Sequence, residues 1–78
     1  MRILDESSDK KLDRVMLYFT KEEASEMKDS LELLLSNRTA HYHINDESFE
    51  KEITISLYNK EDLSHFDTRS KKLIEEDK

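Results

Sequence analysis

The stretch Thr20–Ser36 reads TKEEASEMKDSLELLLS and predicts the one long amphipathic helix of the chain. Thr20 is the predicted N-cap, and Glu23 stands three residues later, where a capping box requires Glu or Gln. Asn37 is the predicted left-handed residue that ends the helix. The apolar side chains recur at spacings of three and four, which places them on one stripe. The stripe consists of Ala24, Met27, Leu31, Leu34 and Leu35.

Three strands are predicted around this helix. The first covers residues 12–20, where the apolar run Val15–Phe19 favours a strand covered on both faces. Thr39–Ile44 and Phe49–Asn59 alternate between apolar and polar residues, which is typical of an antiparallel hairpin with one wet face. The turn between them falls at residues 45–48. We expect the helix to pack on one face of this sheet through Met27, Leu31 and Leu34.

The two ends of the chain are predicted to differ. Residues 1–11 are expected to form a mobile arm, in which Ile3 and Leu4 either dock on the body or start a short strand. Apolar spacing in residues 63–74 predicts a second helix that covers Met16 and Tyr18, and Asp67 is a candidate cap within it. The predicted fold class is α+β, in the order β-α-β-β-α. It has a three-stranded, mostly antiparallel sheet, and residues 12–78 form a single domain.

Composition narrows the function classes. The 78 residues carry a net charge of −6, which argues against a nucleic-acid partner because a phosphate backbone requires a basic surface. The absence of cysteine and glycine removes thiol chemistry and Gly-rich phosphate loops. No apolar run approaches the roughly 20 residues that span a bilayer. We therefore expect a cytoplasmic protein without a membrane partner.

An acidic face on the main helix is the first candidate site. Glu22, Glu26 and Asp29 fall on the side opposite the apolar stripe, around Leu33. An exposed leucine ringed by carboxylates would suit a basic protein partner, since the acidic rim would speed the encounter. The alternative interpretation is a solvated surface with an ordinary exposed leucine.

A pair of histidines is the second candidate site. His41 and His43 are two strand positions apart, so both imidazoles point to one face of the hairpin. Asp46 or His65 could complete a zinc site, because zinc accepts imidazole nitrogen and carboxylate oxygen. The alternative interpretation is a pair of solvent-facing histidines, and no other cofactor is expected.

No catalytic residue is predicted, because neighbouring carboxylates point apart on a helix or strand and the serines lack a nucleophile context. Three function classes stay open. The first is a non-enzymatic, acidic interaction module of a regulatory or immunity-like kind. The second is a metal- or small-ligand-binding domain, and the third is a structural subunit of a homo-oligomer, with a homodimer as its simplest form.

Three pieces of the chain also carry a resemblance. They are TKEEA with the leucine-rich helix that follows, HYHINDESFEKEITI, and FDTRSKKLI. Together they resemble a group of short, uncharacterised bacterial proteins, over most of the chain from Val15 to Ile74. The resemblance implies a bacterial cytoplasmic protein and assigns no activity and no site residues.

Overall fold

The computed structural model of the chain describes all 78 residues. The fold is α+β, with two helices and two separate two-stranded antiparallel sheets. In chain order the elements are β1 (Ile3–Asp5), β2 (Lys10–Leu12), α1 (Lys21–Leu35), β3 (His41–Asn45), β4 (Glu52–Ser56) and α2 (Thr68–Glu76). They form two compact units. The central unit is Tyr18–Leu57, and the terminal unit combines Met1–Leu17 with Tyr58–Lys78.

Both predicted ends of α1 are confirmed. The Thr20 hydroxyl accepts a hydrogen bond from the Glu23 amide at 3.2 Å, and the Glu23 carboxylate accepts one from the Thr20 amide at 2.8 Å. This reciprocal pair satisfies two of the backbone donors that a helix start leaves free. At the other end, Asn37 has a φ of 60° and takes the left-handed conformation in place of glycine.

The hairpin predicted to follow α1 is also confirmed, with shorter strands. Tyr42 of β3 lies opposite Ile55 of β4, and two residues further along β3, Ile44 lies opposite Ile53. The intervening residue His43 lies opposite Thr54 on the other face. The apolar pairs therefore form one surface of the two-stranded sheet, and the polar pairs form the surface that water reaches.

The core of the central unit lies between α1 and β3. Leu34 is 1% exposed, and Ile44 is almost as completely buried. Leu31, which the apolar stripe predicted to be inside, is 45% exposed, and Ser30 is buried in its place. The Ser30 hydroxyl donates to the Glu26 carbonyl at 2.7 Å. Because that hydrogen bond satisfies the hydroxyl, burying it costs little.

The terminal unit pairs the β1–β2 hairpin with α2. In the β1–β2 hairpin, Ile3 lies opposite Leu12. The short strand considered for Ile3 and Leu4 therefore forms. The mobility of residues 1–11 stays a prediction. The tail helix begins at Thr68 and not at residue 63, and the candidate cap Asp67 is its N-cap, which accepts a hydrogen bond from the Ser70 amide at 2.7 Å. The buried hydrophobic residues of this unit are Leu73 and Ile74.

The strand predicted over residues 12–20 is wrong, and with it the three-stranded sheet and the β-α-β-β-α order. Only Leu12 belongs to a strand, and Val15–Phe19 lie outside any helix or strand with exposed side chains. A strand covered on both faces requires apolar layers on two sides. The chain buries only four hydrophobic side chains, which is too few to supply those layers. For the same reason the predicted cover of Met16 and Tyr18 is absent, and both are largely exposed.

Candidate functional site

An acidic groove lies in the central unit, where the start of α1 faces the loop between β3 and β4. Its volume is about 250 Å³. Five of its seven lining residues carry carboxylates, contributed by the first turns of the helix and by the loop. The lining residues are Glu22, Glu23, Glu26, Asn45, Asp46, Glu47 and Phe49.

Asp46 organises the loop side of the groove. Its carboxylate accepts hydrogen bonds from the Glu50 amide at 2.8 Å, the Lys51 amide at 3.0 Å and the Ser48 hydroxyl at 3.1 Å. The hydrogen bond from the Lys51 amide is the main cause that holds the pKa of Asp46 below its ordinary value of 3.8. Asp46 is therefore a structural carboxylate that fixes the loop between β3 and β4.

Phe49 lies in that loop, and its position corrects the prediction that a strand begins there. Its φ is 57° and its side chain is 79% exposed. A bulky residue rarely takes the left-handed region, because its Cβ crowds the backbone there. The Phe49 amide donates a hydrogen bond to the Asp46 carbonyl at 3.0 Å. This hydrogen bond and those accepted by the Asp46 carboxylate hold the backbone in this conformation. An aromatic ring is thus presented to solvent at the groove.

The carboxylates of the groove fall into two groups. Glu23 is committed to the capping box and Asp46 to the loop, so neither is free to meet a ligand. Glu22, Glu26 and Glu47 are exposed, and their side chains form no hydrogen bond or ion pair within the chain. The groove therefore holds three carboxylates whose charge the protein leaves uncompensated.

The structure brings together only part of the predicted acidic face. Glu22 and Glu26 line the groove, whereas Asp29 is exposed one turn further along α1 and lies outside it. Leu33 is half-buried, so it is not the exposed leucine expected among the carboxylates. On α1 it lies next to the buried side, which Ser30 and Leu34 define.

Sequence reasoning missed the loop side of the groove. Glu47 and Phe49 stand more than 20 residues from Glu22 along the chain, so no local spacing links them. The available signal was an aromatic residue within the acidic, turn-forming run NDESFE, which the alternating pattern assigned to a strand instead.

The polar face of the hairpin holds the predicted histidine pair. The ring centres of His41 and His43 are 5.1 Å apart, with an angle of 72° between the ring planes. His43 Nδ1 lies 2.9 Å from the Glu52 carboxylate and 2.8 Å from the Thr54 hydroxyl, both on the facing strand. Strand pairing thus places a carboxylate beside His43 that the predicted ligand set did not include.

The other two predicted ligands have different surroundings. The Asp46 carboxylate is engaged with backbone amides of its own loop, and His65 belongs to the terminal unit, where its ring lies 4.3 Å from that of Phe66. No group of three or more His, Cys, Asp or Glu side chains is arranged to hold a metal ion. The metal hypothesis therefore depends on the two hairpin histidines.

Comparison with known proteins does not assign the chain to a family. No protein family, curated protein or solved structure matches the chain. Neither α1 nor α2 has the length and apolar content of a membrane-crossing helix.

Proposed function

We propose that this protein is a non-enzymatic interaction module that binds a basic segment of a protein partner in the acidic groove. The observation that carries the proposal is the set of three uncompensated carboxylates, Glu22, Glu26 and Glu47, beside the exposed ring of Phe49. The acidic face predicted on α1 thereby gains a second wall from the loop between β3 and β4.

The size of the groove indicates the occupant. Pockets for drug-sized ligands usually measure about 300–1,000 Å³, and this groove is smaller, at about 250 Å³. A single long side chain fits that volume better than a cofactor does. A lysine or arginine would place its charge among the carboxylates and its methylene stem against the Phe49 ring.

The charge of the whole chain supports the same partner. A net charge of −6 attracts basic segments over a distance and raises their rate of encounter. Long-range attraction alone is not specific, however. Specific binding requires that the carboxylates of the groove contribute more than carboxylates elsewhere on the chain.

A direct test compares two triple variants with the same change of net charge. Glu22→Gln, Glu26→Gln and Glu47→Gln together neutralise the groove, whereas Glu61→Gln, Glu75→Gln and Glu76→Gln neutralise three carboxylates of the terminal unit. Binding of a fluorescent Lys/Arg-rich peptide is measured by anisotropy, with an acidic peptide of equal length as a blank. Exposed ion pairs contribute about 0.2–1 kcal/mol each, so we expect the groove variant to bind about tenfold more weakly.

The outcomes separate specific binding from general attraction. A loss confined to the groove variant supports the proposal. Equal losses in both triple variants would show that only net charge matters, and would reject the groove. Equal binding of the basic and acidic peptides would reject a basic partner altogether.

Single variants map the extent of the surface. Phe49→Ala should weaken peptide binding about threefold, because it removes the ring that covers the methylene stem. Asp29→Asn reports whether the surface continues along α1 beyond the groove, as the acidic face predicted. Leu33→Glu is a poor probe, since Leu33 is half-buried and a charge there would disturb the fold.

Self-association is a second candidate, favoured by the exposed run Val15–Phe19. The backbone groups of this run form no hydrogen bonds within the chain, and all of its side chains are exposed. Unpaired backbone beside apolar side chains is a template for strand pairing, and a second copy of the same run is one partner. Light scattering across a concentration series tests this, with Met16→Lys/Tyr18→Lys as the variant. A strict monomer at high concentration would exclude it.

A further inference from the structure

We propose that His41 and His43 form a two-histidine site for a late first-row divalent cation, with Glu52 as the residue that orients His43. The site lies on the polar face of the β3–β4 hairpin and is separate from the acidic groove. It replaces Asp46 and His65, the ligands that the sequence suggested, with a partner supplied by strand register.

The spacing of the two rings fits shared coordination of one ion. A Zn–N bond of about 2.0–2.1 Å places the centre of an imidazole ring about 3.2 Å from the ion. Two such rings are then about 4.5 Å apart at a ligand angle of about 90°, and about 5.2 Å apart at the tetrahedral angle. The observed separation of 5.1 Å lies inside this interval, close to its tetrahedral end.

The contacts of His43 prepare one of its nitrogens for a metal. A carboxylate only accepts hydrogen bonds, so the 2.9 Å contact with Glu52 makes Nδ1 of His43 the protonated nitrogen. In the neutral ring, Nε2 then carries the lone pair that binds a cation. The Thr54 hydroxyl donates to the same Glu52 carboxylate at 3.4 Å, which helps to hold that carboxylate in place. A carboxylate behind a ligating histidine is the usual outer-sphere support of metal sites.

The donor set selects the class of cation. Imidazole nitrogen suits Zn²⁺, Cu²⁺ and Ni²⁺, whereas Mg²⁺ and Ca²⁺ prefer oxygen ligands. Two protein ligands leave the remaining positions to water or to donors of a partner. Both rings are exposed, so the ion and those further donors reach the site directly.

The test is a titration of the intact chain with ZnCl₂ near neutral pH, followed by calorimetry and by the imidazole proton resonances. We expect saturable binding with a dissociation constant on the order of 10 μM, and shifts confined to His41 and His43. His41→Ala and His43→Ala should each abolish the saturable phase. Glu52→Gln should weaken binding about 10–100-fold while leaving both ligands in place.

His65→Ala is the matched control, because it removes the third histidine and should leave the affinity unchanged. Circular dichroism of each variant checks that the fold is retained. A stoichiometry of one ion per chain, or of one ion per two chains, supports the site when both histidine variants lose it. No saturable phase, or the same affinity in His41→Ala and His43→Ala as in the unaltered chain, would overturn the proposal.

Discussion

The two units of the molecule use the same elements, a two-stranded hairpin and a helix, but they differ in which elements supply the buried side chains. In the central unit the buried hydrophobic residues come from both elements, Leu34 from α1 and Ile44 from β3. In the terminal unit both buried hydrophobic residues, Leu73 and Ile74, belong to α2. The comparison shows that a similar local architecture need not be stabilised in a similar way.

Arginines join the hairpin of the terminal unit to its helix. Arg2 donates from Nε to the Leu73 carbonyl at 3.0 Å. Arg69 donates from Nε to the Asp9 carboxylate at 2.8 Å and from Nη2 to the Asp9 carbonyl at 3.0 Å. The planar guanidinium suits such forked contacts. The terminal unit should therefore respond to salt more strongly than the central unit does.

The largest expected effect concerns the central core. Leu34→Ala should lower the free energy of unfolding by about 2–5 kcal/mol, since it removes a fully buried side chain and leaves a cavity. Urea denaturation followed by circular dichroism measures it. The matched control is Leu35→Ala, at a neighbouring position that is 73% exposed, which should change stability by less than about 0.5 kcal/mol. Equal effects of the two substitutions would contradict the assignment of the core.

An intermediate effect is expected for the arginine fork. Arg69→Met should cost about 1 kcal/mol, because it removes the contacts with Asp9 and keeps much of the apolar stem. Hydrogen exchange should report faster opening of β2 and α2, with α1 unchanged. In about 1 M salt the difference from the unaltered chain should shrink, since the screening length falls to about 3 Å. Faster exchange in α1 as well would show that the two units do not open separately.

The smallest expected effect is the loss of folding stability at low pH. The pKa values of Asp5, Asp62 and Asp67 are all lowered, chiefly by hydrogen bonds from the Ser8 hydroxyl, the Ser64 hydroxyl and the Ser70 amide respectively. The central unit has one such carboxyl, Asp46. A lowered folded-state pKa gives stability that is present above the ordinary value of 3.8 and is lost as pH falls through the folded value.

The terminal unit should therefore lose its dispersed amide resonances at a higher pH than the central unit does. A series of NMR spectra from about pH 5 downward checks the order. Asp67→Asn keeps a good N-cap that does not titrate, so it should reduce the acid sensitivity of α2. If the central unit lost its dispersed resonances at the higher pH, the predicted order of the two units would be wrong.

Local signals account for most of the fold that was predictable. The capping box at Thr20 and the cap at Asp67 depend on atoms within one helical turn, and both appear where the sequence placed them. The β3–β4 hairpin followed from strict alternation, because a slip of one residue would move the apolar side chains to the wet face. Such features need no knowledge of the rest of the chain.

The predictions that were wrong concern which of several apolar residues are buried. Val15–Phe19 are apolar enough for a strand, but no second layer covers them. Leu31 is more apolar than Ser30, yet Ser30 is the buried residue, and its hydrogen bond to the Glu26 carbonyl makes that burial tolerable. The groove was half predictable, since Glu22 and Glu26 lie on one helix whereas Glu47 and Phe49 join them only through the loop.

The left-handed backbone of Phe49 has a consequence for engineering. The chain has no glycine, and its four positive-φ positions are occupied by Asp9, Asn37, Phe49 and Asp77. Asp and Asn tolerate this conformation, whereas a phenylalanine does so at a cost on the order of 1 kcal/mol. Phe49→Gly should relieve that strain, yet it would delete the only aromatic side chain lining the groove. Selecting variants for heat resistance alone would favour that exchange, so a library built from this scaffold should be screened for peptide capture as well.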